Sequence, residues 1–348
     1  MASNPYNKIV VNCRTLDSHI TGVPRYLRTM LAHLPAGMRQ VRPSKPLSGL
    51  QGHAWEQLRL PTLINQGEIL WSPSHTGPLT IASQVVTIHD LVSIDHPEWL
   101  TPRFAAWYHF LIPRLVRRAR RIIVISKFTH DRLIERTGIN PDKVDIIHRS
   151  IDPQFKLMQS DYYERMISRL DLPSRNYVLS VCSLEPRKNL ARLLQAWSDA
   201  LANLPDNLWL VLAGARGKMH IFQNAGMDKL PARVHLTGYI PDEYLPALYA
   251  GAQAFIYISY YEGFGLPPLE AMACGCPVIC SDIPVFQEVV GDAAMKVNPF
   301  STQDIAAGIA ALLQNAPLRD ALRARGFERI RLFTPEREAQ QTWRSLAG

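Results

Sequence analysis

The feature that most constrains this chain is a regular alternation of short apolar runs with longer segments of helical spacing. The runs are rich in β-branched residues and apolar at successive positions, as in parallel strands buried on both faces. Strand, helix, strand in repetition is typical of α/β domains with parallel sheets. The runs predicted as strands are 8–13, 69–72, 84–89, 121–126, 144–148, 177–183, 208–214, 234–240, 254–259, 277–281 and 294–297.

The length of the chain, 348 residues, favours two domains on a prior of about 150 residues for each. A polar stretch from Gln159 to Arg175 separates the two sets of predicted strands. We therefore predict two Rossmann-like, doubly wound domains, residues 1–165 and 170–332, with a cleft between them. Such sheets bind ligands beyond the carboxyl ends of their strands, so residues that follow strands are the most informative.

Charge is distributed unevenly along the chain. The net charge is +8, and residues 1–165 contain 21 Lys and Arg against 13 Asp and Glu, whereas the remaining residues balance. The densest stretch comprises Arg114, Arg117, Arg118, Arg120 and Arg121. Three interpretations remain open: a solvated helix face, an anionic membrane surface, or a nucleic acid.

The sequence also bears on localisation. No apolar run approaches the about 20 residues that cross a bilayer, and the first residues lack the apolar segment of a secretory signal. We expect a cytoplasmic protein, with peripheral association at the inner face of the membrane as a further expectation from the basic half.

Five cysteines are too few and too irregular for a disulfide framework. Three of them, Cys274, Cys276 and Cys280, lie close together, but no further Cys or His nearby completes a tetrahedral site. They alternate with small and apolar residues, which favours packing in a core over metal binding.

The segment from Ser259 to Ala273 carries the strongest chemical signal. It follows a predicted strand and opens a helix, whose N–H groups and positive dipole end suit a diphosphate. Gly263 and Gly265 allow the backbone to approach a ligand closely. Glu262 and Glu270 flank this anion site and can accept hydrogen bonds from sugar and ribose hydroxyls. The competing interpretation is a helix-capping loop with two solvated glutamates.

A second segment, from Ser183 to Asn189, also follows a strand. Its adjacent Arg187 and Lys188 can neutralise the charge of a diphosphate leaving group. In isolation such a pair is as often a surface feature, but an anion-binding helix start in the same half favours a phosphate site.

Two positions in the first half are weaker candidates. Gly22 lies in the turn Thr21–Tyr26 that opens a helix, where a backbone without a side chain can meet a ligand. His89 ends a buried strand, which places it at the ligand-binding edge of the sheet, although a lone histidine is more often structural. Its expected task is hydrogen bonding to a transferred sugar.

Together these segments resemble the retaining, family 4 type of GT-B glycosyltransferases. Glu262 and Glu270 match the E-x7-E motif of that family, in its usual Glu-Gly-Phe-Gly-Leu-Pro context. The stretches 22–26, 89–90, 186–189 and 288–293 fall where the family has similar sequences, and the resemblance runs from about residue 8 to the end. Residues 333–346 resemble the family's last helix, which crosses back onto the first domain.

The resemblance implies a role for each residue. Arg187 and Lys188 would hold the donor diphosphate, Glu270 the ribose and Glu262 the donor sugar. The catalytic set is then His89, Arg187, Lys188 and Glu262, and the donor-binding set is Gly22, Arg187, Lys188, Gly238, Tyr239, Glu262, Gly263, Phe264, Gly265, Leu266 and Glu270. Of these, Gly265 and Leu266 would meet the distal phosphate, Gly22 the phosphates, and Gly238 and Tyr239 the base.

Two departures from the family pattern concern the ends of strands. Where many relatives carry an arginine six residues before the motif lysine, this chain has Cys182, so Arg187 must supply that charge. The usual Asn-Gly before a Val/Ile-Asp pair is replaced by His148, Arg149 and Ser150, which leaves acceptor contacts there open. The chain has no Asp-x-Asp pair, and enzymes of this type typically need no metal or other cofactor.

The resemblance predicts transfer, with retention, from a nucleotide sugar to a saccharide or polyprenyl-diphosphate-linked acceptor in bacterial polysaccharide or O-antigen assembly. GDP-mannose is the first expectation for the donor, because 53–58 and 97–99 resemble bacterial polysaccharide mannosyltransferases. A UDP- or dTDP-sugar is the alternative. Two other interpretations are a nucleotide-sugar epimerase of the same fold and a non-catalytic protein that binds nucleotide sugar or nucleic acid; the last leaves the two glutamates unexplained.

Overall fold

A computed structural model describes residues 8–348 except 18–21, 48, 182, 184 and 215–229. The chain divides into two compact units, Met1–Ser150 with Phe333–Gly348, and Ile151–Leu332. The last segment therefore belongs to the first unit, to which the sequence assigned it. The division falls at Ser150, before the polar stretch 159–175 in which we expected it.

The first unit is built on a sheet of parallel strands. Within the described residues the order across the sheet is β2-β1-β3-β4-β5-β6. Each run predicted as a strand in this half contains one, and most are buried on both faces, although Val144–Ile146 buries only its valine. The edge strand β2 was not predicted, since its sequence Arg-Gln-Val buries only the valine. The strands are β1 Ile9–Asn12, β2 Arg39–Val41, β3 Ile69–Ser72, β4 Gln84–Ile88, β5 Arg121–Val124 and β6 Val144–Ile146.

Helices connect these strands and cover the sheet. They are α1 Gly22–His33, α2 Gly49–Ala54, α3 Val92–Asp95, α4 Pro102–Arg118 and α5 Lys127–Thr137. A π-helical turn, Trp55–Arg59, continues α2 without a break. The C-terminal helix, Pro335–Ala347, packs against this unit. Its Ala339 and Leu346 belong to the same buried apolar cluster as Leu27 and Met30 of α1.

The second unit contains another parallel sheet, in the order β12-β11-β10-β7-β8-β9 among the described strands. Counted from its own first strand, this is the 3-2-1-4-5-6 order of dinucleotide-binding sheets. The strands are β7 Tyr177–Val181, β8 Trp209–Ala213, β9 Val234–Gly238, β10 Phe255–Tyr257, β11 Val278–Ser281 and β12 Met295–Val297.

The helices of the second unit include one that the sequence analysis assigned to a linker. Helix α6 lies in the polar stretch before β7, where Met166 and Ile167 are its buried residues and solvent-facing polar residues hide the pattern. No helix in the described part of the chain is long and apolar enough to span a membrane. The helices are α6 Ser160–Ile167, α7 Leu190–Ala200, α8 Leu245–Ala250, α9 Leu266–Ala273, α10 Pro284–Val289, α11 Thr302–Gln314 and α12 Ala316–Ile330.

Each sheet has a point at which the strand order reverses. In the first sheet the chain turns back between β1 and β3, and in the second between β7 and β10. Connections leave in opposite directions there, so a crevice opens outside the carboxyl ends of these strands, where α/β sheets bind their ligands. The residues that follow β1, β3, β7 and β10 are therefore the ones to inspect for function.

The C-terminal helix should stabilise the first unit through its buried apolar face. Leu346 is fully buried, so Leu346→Ala should lower the free energy of unfolding by about 2–5 kcal/mol, from lost burial and the cavity left behind. Urea unfolding of the full chain measures this. Leu50→Ala, at an 81% exposed position, is the control and should change stability by less than about 0.5 kcal/mol. Equal effects of the two substitutions would contradict the packing described.

Candidate active site

Two loops meet at the strand-order reversal of the second sheet. After β7, a 3₁₀ turn, Pro186–Lys188, carries both predicted cations. Asn189 closes the turn in the left-handed region (φ 56°) and starts α7, while its side-chain amide donates to the Pro299 carbonyl at 2.8 Å. The loop after β10 is tied to this turn, because the Tyr260 N–H donates to the Arg187 carbonyl at 2.8 Å.

The two cations and Glu262 form a buried ion-pair cluster. The Arg187 Nη1 atom lies 2.7 Å from Glu262 Oε2, and the Lys188 Nζ atom lies 2.6 Å from Glu262 Oε1. The side chains of Lys188 and Glu262 are only 9% and 8% exposed. The two cations predicted as catalytic in this half are thus each within hydrogen-bonding distance of Glu262, the third predicted residue.

Electrostatics keep this cluster ionised. Burial alone would raise the pKa of Glu262, but Lys188 and Arg187 outweigh it and hold the pKa at about 2. Burial lowers the pKa of Lys188, and the attraction of Glu262 opposes that shift. Glu262 is therefore a carboxylate at neutral pH and a weak base, which suits a hydrogen-bond acceptor better than a nucleophile.

Sequence reasoning missed two members of the cluster. The Tyr257 hydroxyl, at the end of β10, donates to Glu262 Oε1 at 2.8 Å and also contacts the Lys188 ammonium. Glu185 accepts from Arg187 Nε at 2.6 Å through a side chain that is half exposed. In the sequence Tyr257 has the pattern of a strand core residue and Glu185 that of a surface residue. Neither pattern indicates a functional site.

The start of α9 has the backbone geometry expected of an anion site. Gly265 adopts a φ of +90°, and a Cβ there would lie 2.3 Å from the ring of Phe286, so a side chain is excluded on both grounds. Pro267 and Pro268 lack N–H groups. The backbone donors at this helix start are therefore the N–H groups of Gly265 and Leu266, next to Glu262, Gly263 and Phe264 in the chain.

Glu270 lies inside α9 and is 5% exposed. Its Oε2 atom accepts a hydrogen bond from the Tyr249 hydroxyl at 3.1 Å, and Tyr249 comes from α8. Burial and the neighbouring carboxylate raise the pKa of Tyr249, so it stays a donor at neutral pH. A carboxylate so oriented can accept further hydrogen bonds from ligand hydroxyls.

The remaining predicted donor residues of this unit lie at the end of β9. Gly238 is its last residue and has a φ of +70°, which turns the chain sharply, and the following Tyr239 is 55% exposed. Cys182, which replaces the usual arginine, lies outside the described residues. Cys274, Cys276 and Cys280 are buried free thiols, and burial raises the pKa of Cys274 to about 12.

In the first unit His89 follows β4 and is 5% exposed. Its Nε2–H donates to the Pro73 carbonyl at 2.7 Å, while Nδ1 is buried with no hydrogen-bond partner among the described residues. Burial, then the proximity of His75 and Arg149, holds the pKa of His89 well below its usual range. The ring is therefore neutral, and its Nδ1 is an acceptor available for a ligand hydroxyl.

The other predicted residue of this unit, Gly22, is the first residue of α1, and a Cβ at that position would meet open space. The preceding Thr21 lies outside the described residues. The loop that departs from the family pattern, around Arg149, is occupied within the unit: Arg149 Nε lies 3.3 Å from Glu338 Oε1, and the Ser150 N–H donates to Glu338 Oε2 at 2.8 Å. These contacts hold the C-terminal helix.

Two parallel-sheet units, one with cations and a carboxylate at its strand-order reversal, define the class of GT-B glycosyltransferases. Comparison with protein families agrees with both halves. Residues 164–329 match the model described as glycosyl transferases group 1, and residues 61–155 match that of glycosyltransferase family 4. The chain belongs to the group 1 glycosyltransferases, and it is an enzyme of that activity.

Similar proteins support the same assignment. O-antigen chain mannosyltransferase B of Escherichia coli is 31% identical over 79% of this chain and 72% of its own length. An O-antigen chain mannosyltransferase of Salmonella typhimurium is 29% identical over 70% of this chain, which spans 65% of that relative. The crystal structure of Anabaena HepE with UDP-glucose shares the fold, with a TM-score of 0.74 at 18% identity, over 97% of this chain and 99% of HepE.

The ion-pair cluster makes stability depend on pH in a predictable direction. A depressed pKa of Glu262 contributes stability that is present above its ordinary value, 4.5, and is lost as the pH falls through about 2. The shift corresponds to about 3 kcal/mol. The loss of stability in Glu262→Gln, relative to the native protein, should therefore shrink between about pH 6 and about pH 2.5 in urea unfolding experiments.

Glu328→Gln serves as the matched control, because Glu328 is 68% exposed and pairs only with Arg331 among the described residues. Its effect should stay below about 0.5 kcal/mol at each pH. A difference between the native protein and Glu262→Gln that does not change with pH would show that Glu262 is not held ionised as described.

Proposed function

We propose that this glycosyltransferase takes a hexose from a nucleotide sugar bound by its second unit and transfers it to an acceptor bound by its first. The observation that carries the proposal is the convergence of Arg187, Lys188 and Glu262 at the strand-order reversal of the second sheet. GDP-mannose is the first candidate donor, supported by the names of the similar O-antigen mannosyltransferases, and a UDP- or dTDP-sugar is the alternative.

The cations fit a diphosphate leaving group. Arg187 can bind two phosphate oxygens through its planar fork, and Lys188 contributes a point charge. In the structure Arg187 Nε donates a hydrogen bond to Glu185, whose side chain is 49% exposed and can turn into solvent. We propose that a phosphate oxygen replaces Glu185 on Arg187 when the donor binds, with the N–H groups of Gly265 and Leu266 on the distal phosphate.

The carboxylates and the histidine fit the hydroxyl groups of the donor. Glu262 Oε1 already accepts from Lys188 and Tyr257, whereas Oε2 accepts from Arg187 and retains a lone pair for a sugar hydroxyl. In this proposal Glu270 accepts from the ribose, and Gly238 and Tyr239 contact the base. The roles of His89 toward the transferred sugar and of Gly22 toward the phosphates remain expectations from the family resemblance.

Transfer proceeds with retention of anomeric configuration in this proposal. Arg187 and Lys188 stabilise the negative charge that develops on the departing diphosphate, which lowers the barrier for leaving-group departure. The acceptor hydroxyl then attacks from the same face. A covalent intermediate on Glu262 is disfavoured, because a carboxylate with a pKa of about 2 is a poor nucleophile. The charges supplied by the protein perform the task that a metal performs elsewhere, so no metal is expected.

The acceptor is a saccharide or polyprenyl-diphosphate-linked saccharide of a bacterial polysaccharide or O-antigen. The names of the relatives support this class, and so does the basic charge of the first unit. Helix α4 also exposes Phe104 (42%) and Phe110 (44%), and it contains Arg114. We propose that α4 rests on an anionic bilayer surface at the cytoplasmic side of the membrane.

Nucleotide binding without metal is the first test. In thermal-shift experiments with excess EDTA, one of GDP, UDP, dTDP and ADP should raise the melting temperature most, since a ligand at 100 times its Kd adds about 2.7 kcal/mol. Lys188→Ala should weaken that binding at least about tenfold, the scale of a lost charge-assisted hydrogen bond. Lys296→Ala, in β12 of the same unit, is the control and should bind normally.

Sugar transfer is the second test. Glu262→Ala should reduce turnover with the donor so identified by about 100-fold or more, because charge organisation around the leaving group is lost. Glu328→Ala should retain activity. Near-normal turnover in Glu262→Ala would overturn the assigned role, and an inverted product anomer in NMR would overturn retention. A sugar of changed ring configuration formed from the donor alone would identify an isomerase.

A further inference from the structure

A second polar cluster lies at the strand-order reversal of the first sheet. Asn12 ends β1 and Arg14 follows it, while Thr76 follows β3. The Arg14 Nη2 atom donates to Thr76 Oγ1 at 3.3 Å, and the hydroxyls of Thr15 and Ser74 are 2.8 Å apart. This is the edge of a parallel sheet where ligands bind, yet none of the residues assigned to the donor accounts for it.

Glu56 is the centre of this cluster. It lies in the π-helical turn Trp55–Arg59 and is fully buried. Its Oε1 atom accepts from Asn12 Nδ2 at 2.7 Å and lies 3.5 Å from Arg14 Nε. Single π-helical turns are uncommon and occur frequently at functional sites, because they change the direction in which a helix presents a side chain.

Several buried atoms of this cluster have no hydrogen-bond partner within the described residues. His53 lies just before the π-helical turn Trp55–Arg59 in the sequence. Its ring centre lies 5.5 Å from that of Trp107 and 5.9 Å from that of Tyr108. Buried polar groups in proteins are nearly always paired, so a group of unpaired ones marks a place where a ligand or water completes them. The atoms without a hydrogen-bond partner are Arg14 Nε, whose 3.5 Å contact with Glu56 Oε1 is an ion pair rather than a hydrogen bond, His53 Nδ1, Glu56 Oε2 and Trp107 Nε1.

The backbone makes room for this arrangement. A Cβ at Gly52, in α2, would lie 2.5 Å from Arg14 Nη1, so the absence of a side chain allows the guanidinium to lie against the helix. Burial and the adjacent Arg14 lower the pKa of His53, which is therefore neutral at physiological pH. The cluster consists of one cation, one anion, a neutral imidazole and aromatic rings.

This composition selects a polyhydroxylated ligand. Arg14 and Trp107 offer donors, whereas Glu56 Oε2 is an acceptor, so a group that both donates and accepts satisfies all of them. An anionic ligand would be repelled by the Glu56 carboxylate, and a cationic ligand would be repelled by the Arg14 guanidinium. A hexose carries adjacent hydroxyls of this dual character on a ring whose apolar C–H face suits Trp107 and Tyr108.

We propose that the cluster of Asn12, Arg14, His53, Glu56 and Trp107 binds one hexose of the acceptor saccharide and recognises it through its hydroxyl groups. The proposal rests on the proposed function, because an acceptor is implied by transfer, but it concerns different residues from the donor site. Glu56 is the acceptor for one hydroxyl, and Trp107 Nε1 donates to another.

The test is direct binding rather than turnover. Saturation-transfer NMR with methyl α-mannoside, methyl α-glucoside and methyl α-galactoside gives a dissociation constant for the full-length protein, saturated with the nucleoside diphosphate of the largest thermal shift. At least one glycoside should bind. Glu56→Gln and Trp107→Phe should each weaken its binding about tenfold, as expected for one lost hydrogen bond to a buried group.

The controls match each substitution. Glu68→Gln changes another carboxylate paired with an arginine in the same unit, and Trp99→Phe changes a tryptophan stacked on His96. Both should bind the glycoside as the native protein does, and thermal melting checks that each variant is folded. Trp107→Phe keeps an aromatic ring and all charges while removing the N–H donor, so it remains informative even if Glu56→Gln does not fold.

Two results would overturn the inference. One is a folded native protein that binds the nucleotide but none of the glycosides, which would indicate that water fills the cluster. The other is unchanged glycoside binding in Trp107→Phe. Neither result bears on the donor site, whose own failure would be seen separately as the absence of nucleotide binding in the same samples.

Discussion

The contact of Glu262 with Lys188 and Arg187 is the interaction on which the second unit depends. Buried charges are tolerated only when they are paired, and removal of one partner leaves the others uncompensated. The carboxylate follows β10 and the cations follow β7, so they can meet only because these two strands are neighbours in the sheet. Asn189 and Gly265, both in left-handed conformations, set the loops that bring the charges together.

The two sheets have different strand orders, yet both hold an ion pair at the point where the order reverses. In each, a carboxylate and a cation lie at the reversal of strand order, Glu262 with Lys188 in one and Glu56 with Arg14 in the other. The two carboxylates differ in whether both of their oxygens have hydrogen-bond partners. Both oxygens of Glu262 accept hydrogen bonds from cations, which fits the phosphate site proposed for Arg187 and Lys188. Glu56 keeps one oxygen without a hydrogen-bond partner in the described part of the chain, which fits the neutral ligand proposed for its cluster.

Local sequence patterns were sufficient for most of the fold, because strands buried on both faces are visible as apolar runs and the Glu262 segment is contiguous. They did not reveal β2, which buries one side chain, or the helix 160–167, which is amphipathic and mostly exposed. Nor did they reveal the Tyr257–Glu262 bond or the Arg149–Glu338 pair. The former depends on how the loop after β10 folds back onto the strand end, and the latter joins residues 189 positions apart that only tertiary packing brings together.

The central claim is that Arg187 and Lys188 are the diphosphate site. A crystal structure of the full-length protein with the nucleoside diphosphate that gives the largest thermal shift tests it most directly. The account predicts diphosphate oxygens within hydrogen-bonding distance of the Arg187 guanidinium and the Lys188 ammonium, with Glu185 displaced from Arg187. A diphosphate bound elsewhere in the chain, with both cations still held by Glu262 and Glu185, would contradict it.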